Sequence, residues 1–315
     1  MRRSIALALL LPALGLPAGA AAQAPPFLLA WGSSGSGAGQ FVQPHAVATD
    51  ASGNVYVSDA FQNSRIQVFD ANGVFLRKFG SVGTDPGQFG TPEGIALDHD
   101  GNIYVSDGAR VQTFTNAGAF VTQWGTSGSA NGEFNSAHGI AVDANRDVYV
   151  VDEGNCRVQK FTSAGTFLLK WDVCGSAGDP LGIAVEPSGT LLVSLVGSPA
   201  SIRRYSLTGV FLGEVLGPSA VREPATVAVD AAGNIYEAEG SVNRIQVFTS
   251  TGALIAAWGS TGSGPGQFQD AIGIAVGPHG EIYVTDRDNI RVQKFGNVTV
   301  PASSATWGRL KTLYR

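Results

Sequence analysis

Short stretches in which apolar and polar residues alternate recur along the whole chain, and the first is RIQVF at residues 65–69. Ile66 and Val68 fall on one side of this stretch and the residues next to them on the other, the period of two that is typical of a β-strand. The Asn72-Gly73 pair that follows favours a hairpin turn. With the neighbouring apolar runs, the pattern predicts four strands, at residues 46–49, 55–58, 65–69 and 74–79.

This four-stranded unit is repeated. The phrase DASGNVYVSD at residues 50–59 returns as DHDGNIYVSD, DANRDVYVVD and DAAGNIYEAE, and in looser form as GPHGEIYVTD and EPSGTLLVSL. The large residue that anchors the phrase recurs every 43 to 48 residues, at Tyr56, Tyr104, Tyr149, Leu192, Tyr236 and Tyr283. Six units of four strands at this period predict an all-β, six-bladed β-propeller.

The two ends of the repeated region complement each other. The last unit ends at Phe295 after three strands, whereas an additional strand, FLLAWG, stands at residues 27–32 before the first unit. If this N-terminal strand joins the last blade, the ring closes and two exposed sheet edges disappear. We therefore assign residues 23–296 to one propeller domain whose ring is closed by the N-terminal strand.

The phrases PEGIALDHDGNIYVSD and NRIQVF resemble the NHL repeat, and the resemblance extends over residues 27–296. It implies a six-bladed propeller that binds a partner. NHL propellers serve as ligase substrate modules, RNA binders, bacterial surface proteins and, rarely, lyases.

Both ends of the chain differ from the repeats in composition. Residues 1–22 carry two arginines, an apolar run and small residues, the pattern of a secretory signal peptide. We therefore expect an exported protein, periplasmic or extracellular. Residues 297–315 form a linker and a basic, aromatic tail, which is interpreted either as a short helix on the side of the propeller or as a sorting or anchoring tag.

Charge narrows the range of partners. The net charge of −5 disfavours binding to nucleic acid or anionic lipid. No segment has the length and apolar character of a transmembrane span. A protein, peptide or carbohydrate ligand remains as the expected partner, and the sequence carries no oligomerisation signal, so we expect a monomer.

The chain has two cysteines, Cys156 and Cys174. They are interpreted either as two unrelated small buried residues or as one disulfide, which an oxidising compartment permits. The strands at residues 157–161 and 166–171 form a predicted hairpin, and its register places the two cysteines near each other. We therefore expect the disulfide.

One acid and one arginine recur on either side of the connection between the second and third strands. The pairs are Asp59 with Arg65, Asp107 with Arg110, Asp152 with Arg157, Glu239 with Arg244, and Asp286 with Arg291. The fourth unit has Leu195 and Ser201 instead, so both members are lost together. We interpret the pairs as structural ion pairs that hold this connection, rather than as a ring of catalytic acids.

Three potential ligands occupy one repeat position in neighbouring units: His45, Glu93 and His138. The position precedes the innermost strand, where the chain enters the central channel, so these side chains are expected at the channel mouth. The peptidyl-α-hydroxyglycine α-amidating lyases are similar propellers that hold zinc with histidines from alternate blades. His45 and His138 match two of those positions, but the third is Ala225.

These observations support two functions. The first is a non-enzymatic binding scaffold without a cofactor. The alternative is a metal-dependent lyase or hydrolase that uses His45, Glu93 and His138 to hold zinc or calcium at the channel mouth. We also expect the fourth unit to be the irregular one, with fewer buried contacts than its neighbours.

Overall fold

The computed structural model describes residues 23–175 and 178–298, which form six four-stranded antiparallel sheets arranged in a ring. The predicted all-β, six-bladed propeller is confirmed. The innermost strands are Pro44–Thr49 (β2), Pro92–Leu97 (β6), Ala137–Val142 (β10), Asp179–Val185 (β14), Pro224–Val229 (β18) and Ala271–Val276 (β22). The second strands are Val55–Asp59 (β3), Ile103–Asp107 (β7), Val148–Asp152 (β11), Thr190–Val196 (β15), Ile235–Glu239 (β19) and Ile282–Asp286 (β23).

The third strands are Arg65–Phe69 (β4), Arg110–Phe114 (β8), Arg157–Phe161 (β12), Ser201–Ser206 (β16), Arg244–Phe248 (β20) and Arg291–Phe295 (β24). The outer strands are Phe27–Trp31 (β1), Phe75–Phe79 (β5), Phe120–Trp124 (β9), Phe167–Asp172 (β13), Phe211–Leu216 (β17) and Leu254–Trp258 (β21). Blades 1 to 5 are consecutive sets of four strands from β2 to β21, and blade 6 contains β22, β23, β24 and β1. A 3-10 helix spans Glu153–Asn155.

The repeated aspartate explains why each unit turns where it does. Asp50 accepts hydrogen bonds from the backbone N–H groups of Ser52 and Asn54, which fixes the turn between the first two strands. Gly53 adopts a φ of 82° in this turn, a conformation that favours glycine. The hydroxyl of Tyr56 donates to the same carboxylate at 3.1 Å, so the buried anchor keeps a polar partner.

The ring closes as predicted. Strand β1 pairs antiparallel with β24, and Trp31 lies opposite Val292. The N-terminal strand is thereby the outer strand of blade 6, so each of the six described blades has four strands.

Phenylalanines in the glycine-rich links fill the space between neighbouring blades. Phe41, Phe89, Phe134 and Phe268 are fully buried, and Phe41 packs against Phe69 with ring centroids 5.7 Å apart. The link into blade 5 has the fully buried Val221 at the corresponding place.

The expectation of fewer buried contacts in blade 4 is wrong. Its strands β14 and β15 have seven residues each and β16 and β17 six, so its ladders are longer than those of blade 1. Leu192, at the tyrosine position, is fully buried. Arg204 and Glu186 form an ion pair with nitrogen and oxygen 2.6 Å apart. This ion pair takes the place of the hydrogen bond that the tyrosine hydroxyl makes in other blades.

The predicted signal peptide at residues 1–22 and most of the predicted tail lie outside the described residues. The last described residue, Val298, packs against the apolar core of blades 5 and 6. Within residues 23–175 and 178–298, no helix is long and apolar enough to cross a membrane.

Candidate functional site: the channel mouth

All five recurrent acid–arginine pairs are in contact. The nitrogen–oxygen distances are 3.1 Å for Arg65–Asp59, 2.9 Å for Arg110–Asp107, 2.6 Å for Arg157–Asp152, 2.5 Å for Arg244–Glu239 and 2.7 Å for Arg291–Asp286. Each pair joins directly opposite residues of the second and third strands, as Asp59 and Arg65 show. Leu195 and Ser201 lie opposite each other at the same register in blade 4.

In blades 1, 2, 3 and 6 the arginine of the pair also holds the link that enters the blade. Arg65 uses Nε for Asp59, whereas its two Nη atoms donate to the carbonyls of Ser36, Gly37 and Gln40. The other oxygen of Asp59 accepts from the backbone N–H of Val42 at 2.8 Å. Because all three guanidinium nitrogens and both carboxylate oxygens have partners, the geometry is that of a structural clamp.

The two cysteines are bonded to each other. Their Cα atoms are 5.4 Å apart, within the range that a disulfide requires. Arg157 lies opposite Asp172 in the hairpin. Cys156 directly precedes Arg157, and Cys174 lies two residues after Asp172. The bridge ties the hairpin of blade 3 to the link into blade 4.

A series of side-chain hydrogen bonds to backbone carbonyls surrounds the top of the channel. The residue at the His45 position lies at a register shift in its strand, and its backbone carbonyl faces the preceding blade. Each blade supplies one side chain to the carbonyl of the next. These contacts are His45 to Glu93, Ser106 to His138, Ser194 to Ala225, Thr226 to Ile272, and Thr285 to His45. In blade 3 the His138 ring lies near the backbone of Leu181.

The two predicted histidines are therefore the second residues of innermost strands, rather than residues that precede them. Because a carbonyl only accepts, the 2.9 Å contact of His45 Nδ1 with the Glu93 carbonyl requires a proton on Nδ1. Burial lowers the pKa of His45 to about 3 and that of His138 to about 4, so both are neutral at pH 7. In the neutral His45 ring, Nε2 is left as an acceptor.

The structure brings the two histidines together but not all three predicted ligands. The rings of His45 and His138 are in contact, with centroids 5.4 Å apart, although they come from blades 1 and 3. It is the backbone carbonyl of Glu93, rather than its carboxylate, that contacts His45. Burial, followed by the charges of Glu153 and Asp107, raises the pKa of the Glu93 carboxyl to about 7.

The donor set does not fit the zinc site of the amidating lyases. The ligand atoms of His45, Glu93 and His138 do not all fall within 4.8 Å of one another, and Ala225 occupies the third ligand position. Among the described residues, the group that meets this distance is Cys156, Cys174 and Asp179. Its two sulfurs are bonded to each other and offer no thiolate.

A cavity of about 740 Å³ opens over blades 4, 5 and 6 on the same face of the propeller. Its floor contains Leu181, Ala225 and Ile272, which occupy the His45 position in these three blades. Its wall carries Asp270 and Arg287, which form an ion pair. The mouth is thus divided between histidines on blades 1 and 3 and an apolar floor with charged walls on blades 4 to 6.

Sequence reasoning missed Arg287. It directly follows the acid of the blade 6 pair, and the corresponding residues are Ala60, Gly108, Glu153, Val196 and Gly240. Comparing the six repeats for departures would have found it, since it is the one cation at this position. Its positive charge also lowers the pKa of His45, after the larger effects of burial and of His138.

The comparisons with known proteins agree with this architecture. The NHL repeat family matches residues 41–69, 134–161 and 268–295. No curated protein sequence matches the chain. The fold and the repeats together define a six-bladed β-propeller. The three segments that match the NHL repeat hold the first three strands of blades 1, 3 and 6.

Among solved structures, a streptogramin B lyase is similar at 17% identity and a TM-score of 0.60, over 81% of this chain and 93% of that one. A catalytically inactive virginiamycin B lyase from Staphylococcus aureus with quinupristin has 16% identity and a TM-score of 0.59, over 83% and 82%. A protein of unknown function from Bacteroides thetaiotaomicron has 14% identity and a TM-score of 0.65, over 84% and 73%. At these identities the likeness concerns the fold alone.

Proposed function

We propose that this protein is an exported, monomeric binding propeller that captures a peptide, protein or carbohydrate ligand at the channel mouth without catalysis. The observation that carries the proposal is the cavity of about 740 Å³ over blades 4 to 6. A cavity of this size is within the range of ligand sites, and its lining combines apolar residues with polar and charged groups.

The wall of the cavity favours a ligand that makes several polar contacts. Arg287 and Asp270 line the cavity as an ion pair, and Gln269 also lines it. Burial raises the pKa of Asp270, while Arg287 opposes that rise. A peptide or sugar can exchange hydrogen bonds with this pair while its apolar part covers Ile272.

The test is a binding screen with a panel of short peptides and oligosaccharides, followed by titration calorimetry. Arg287→Ala is expected to weaken the best ligand about tenfold or more, because a hydrogen bond to a charged group is lost. Arg146→Ala is the matched control, since Arg146 forms an exposed ion pair with Asp100 in turns between first and second strands. Unchanged affinity in the Arg287 variant would place the ligand elsewhere.

A second candidate is a metal-dependent lyase or hydrolase at the same mouth. It is favoured by the contact of two neutral imidazoles and by the pKa of about 7 for Glu93, which suits proton transfer. The similar lyase propellers support it at the level of fold. Metal analysis of the purified protein distinguishes the two functions. Stoichiometric zinc or calcium that disappears in His138→Gln would favour the enzyme.

Export is tested separately. Residues 1–22 are proposed to be removed, so the secreted protein should begin at Gln23. N-terminal sequencing of the protein from the periplasm or medium checks this, and an intact Met1 there would contradict it.

A further inference from the structure

Four blades bind the link that enters them in the same way, at a site that we call the link seat. In blade 1 the link seat consists of Arg65 and Gln67. Arg65 donates to the link carbonyls, Gln67 Nε2 donates to the carbonyl of Gln40 at 2.6 Å, and Gln67 Oε1 accepts from the N–H of Gly39 at 3.0 Å. The equivalent pairs in blades 2, 3 and 6 are Arg110 with Gln112, Arg157 with Gln159, and Arg291 with Gln293.

Blade 5 retains the link seat residues, but its link is too short to fill the seat. The link into blade 1 spans residues 32–43, whereas the link into blade 5 spans only residues 217–223. Within the described ranges, Arg244 donates to Glu239 alone and Gln246 Oε1 has no partner although Gln246 is only 5% exposed. The Arg244 side chain is 35% exposed, against 4–16% for its four counterparts.

A further polar group distinguishes this seat. Glu237 lies directly opposite Gln246, at a position occupied by valine in the other five blades. It is fully buried, and neither of its carboxylate oxygens has a hydrogen-bond partner among the residues described. Blade 5 therefore has more unsatisfied polar atoms at its link seat than the blades whose seats are filled.

The link into blade 4 is also short, but residues of blade 4 itself make contacts that hold it. There the clamp pair is replaced by Leu195 and Ser201, and Arg203 stands in place of the glutamine. Arg203 donates to the carbonyls of Val173 and Cys174, so the shorter link is bound by a different set of contacts. In blade 5 the link is short and the seat residues are those of a blade with a long link.

We propose that the link seat of blade 5 binds a glycine-containing peptide segment of a partner protein, in the main-chain arrangement of the chain's own links. The four filled seats supply the template for this ligand. Its carbonyls would accept from Arg244 and Gln246, and one N–H would donate to Gln246 Oε1. Glycine is required because Gly35 and Gly39 in the template adopt φ values of 145° and 73°. The site is separate from the channel-mouth cavity, and so is its test.

The probe is a capped peptide with the sequence of residues 33–42, titrated into the full protein by fluorescence anisotropy. Arg244→Ala is expected to weaken its binding about tenfold or more, since charge-assisted hydrogen bonds are lost. A peptide with alanine in place of its glycines should bind more weakly. Arg146→Ala is the control and should bind as the unmodified protein does. Equal binding by the Arg244 variant overturns the proposal, as does the absence of binding at millimolar peptide.

A graft provides the second variant. Replacing residues 217–222 with the sequence of residues 32–42 supplies a link of the length that fills the other seats and keeps Glu223, which lines the channel-mouth cavity. This variant should gain thermal stability and lose peptide binding, whereas retained binding would show that the peptide does not use the link seat. Loss of binding to the graft with unchanged binding to ligands at the channel mouth separates this proposal from the proposed function.

Discussion

Blades 1, 2, 3 and 6 and blades 4 and 5 form the same four-stranded sheet, but their links are held differently. The first group uses a long glycine-rich link, a buried phenylalanine and a clamp whose arginine contacts the link carbonyls. Blade 4 has longer strands, a disulfide at its link and the Arg204–Glu186 pair. Blade 5 retains the clamp without the long link. The blade fold thus tolerates a shortened link, whether other contacts replace those of the long link, as in blade 4, or the seat stays unfilled, as in blade 5.

The largest expected effect contrasts the two kinds of clamp. Arg157→Ala should lower the free energy of unfolding by about 3–5 kcal/mol, because it leaves the fully buried Asp152 without its cation. Arg244→Ala also leaves a buried carboxylate, that of Glu239, but should cost about 1–3 kcal/mol less, because Arg244 is more exposed and contacts no link carbonyl among the described residues. Urea denaturation of both variants measures the difference. Equal losses of stability would show that the hydrogen bonds from Arg157 to the link carbonyls do not contribute to stability, and would remove the proposed difference between the two kinds of clamp.

The disulfide is expected to have the next largest effect. It joins residues 18 positions apart, and the loop-entropy relation gives about 3 kcal/mol for a loop of that order. Reduction, or the double change Cys156→Ser and Cys174→Ser, should lower the denaturation midpoint by the corresponding amount. Thiol titration of the unfolded, unreduced protein should find no free thiol. Two free thiols, or a midpoint insensitive to reduction, would show that blade 4 does not depend on the bridge.

Glu237 in blade 5 should have a smaller effect of opposite sign. Glu237→Val, which introduces the residue of the other five blades, should raise the free energy of unfolding by about 1–3 kcal/mol at pH 8, because unpartnered buried oxygens are removed. Burial raises the pKa of Glu237 well above its usual 4.5, so the folded state holds a proton that the unfolded state releases. Stability should therefore fall as the pH rises above 4.5.

Glu237→Gln is the matched control for this pH dependence. It retains the shape and polarity of the side chain but cannot titrate, so its stability should decline less between pH 5 and pH 8, as followed by denaturation at several pH values. If the unmodified protein and the glutamine variant show the same pH profile, Glu237 does not titrate in this range as proposed.

The propeller could be predicted because the sequence patterns that indicate its strands and turns are local and recur in each unit. Tyr56 and its counterparts give the period, RIQVF gives the strands, and the additional strand at residues 27–32 gives the closure. The channel mouth could not be predicted to the same degree. The role of His45 as a donor depends on a register shift that turns the Glu93 carbonyl towards it, and alternation does not reveal such a shift. The cavity depends on Arg287 and on three apolar floor residues that no motif marks.

The pairing of β1 with β24 also has a consequence for the order of folding. The first strand of the ring to be synthesised is the partner of the last, so blade 6 cannot be completed until the ribosome has made Phe295. Blades 1 to 5 take all their strands from consecutive sequence and can form during synthesis, whereas the ring stays open until the end. A chain that stops before β24 is left with two unsatisfied strand edges, which quality control can recognise as an unfinished product.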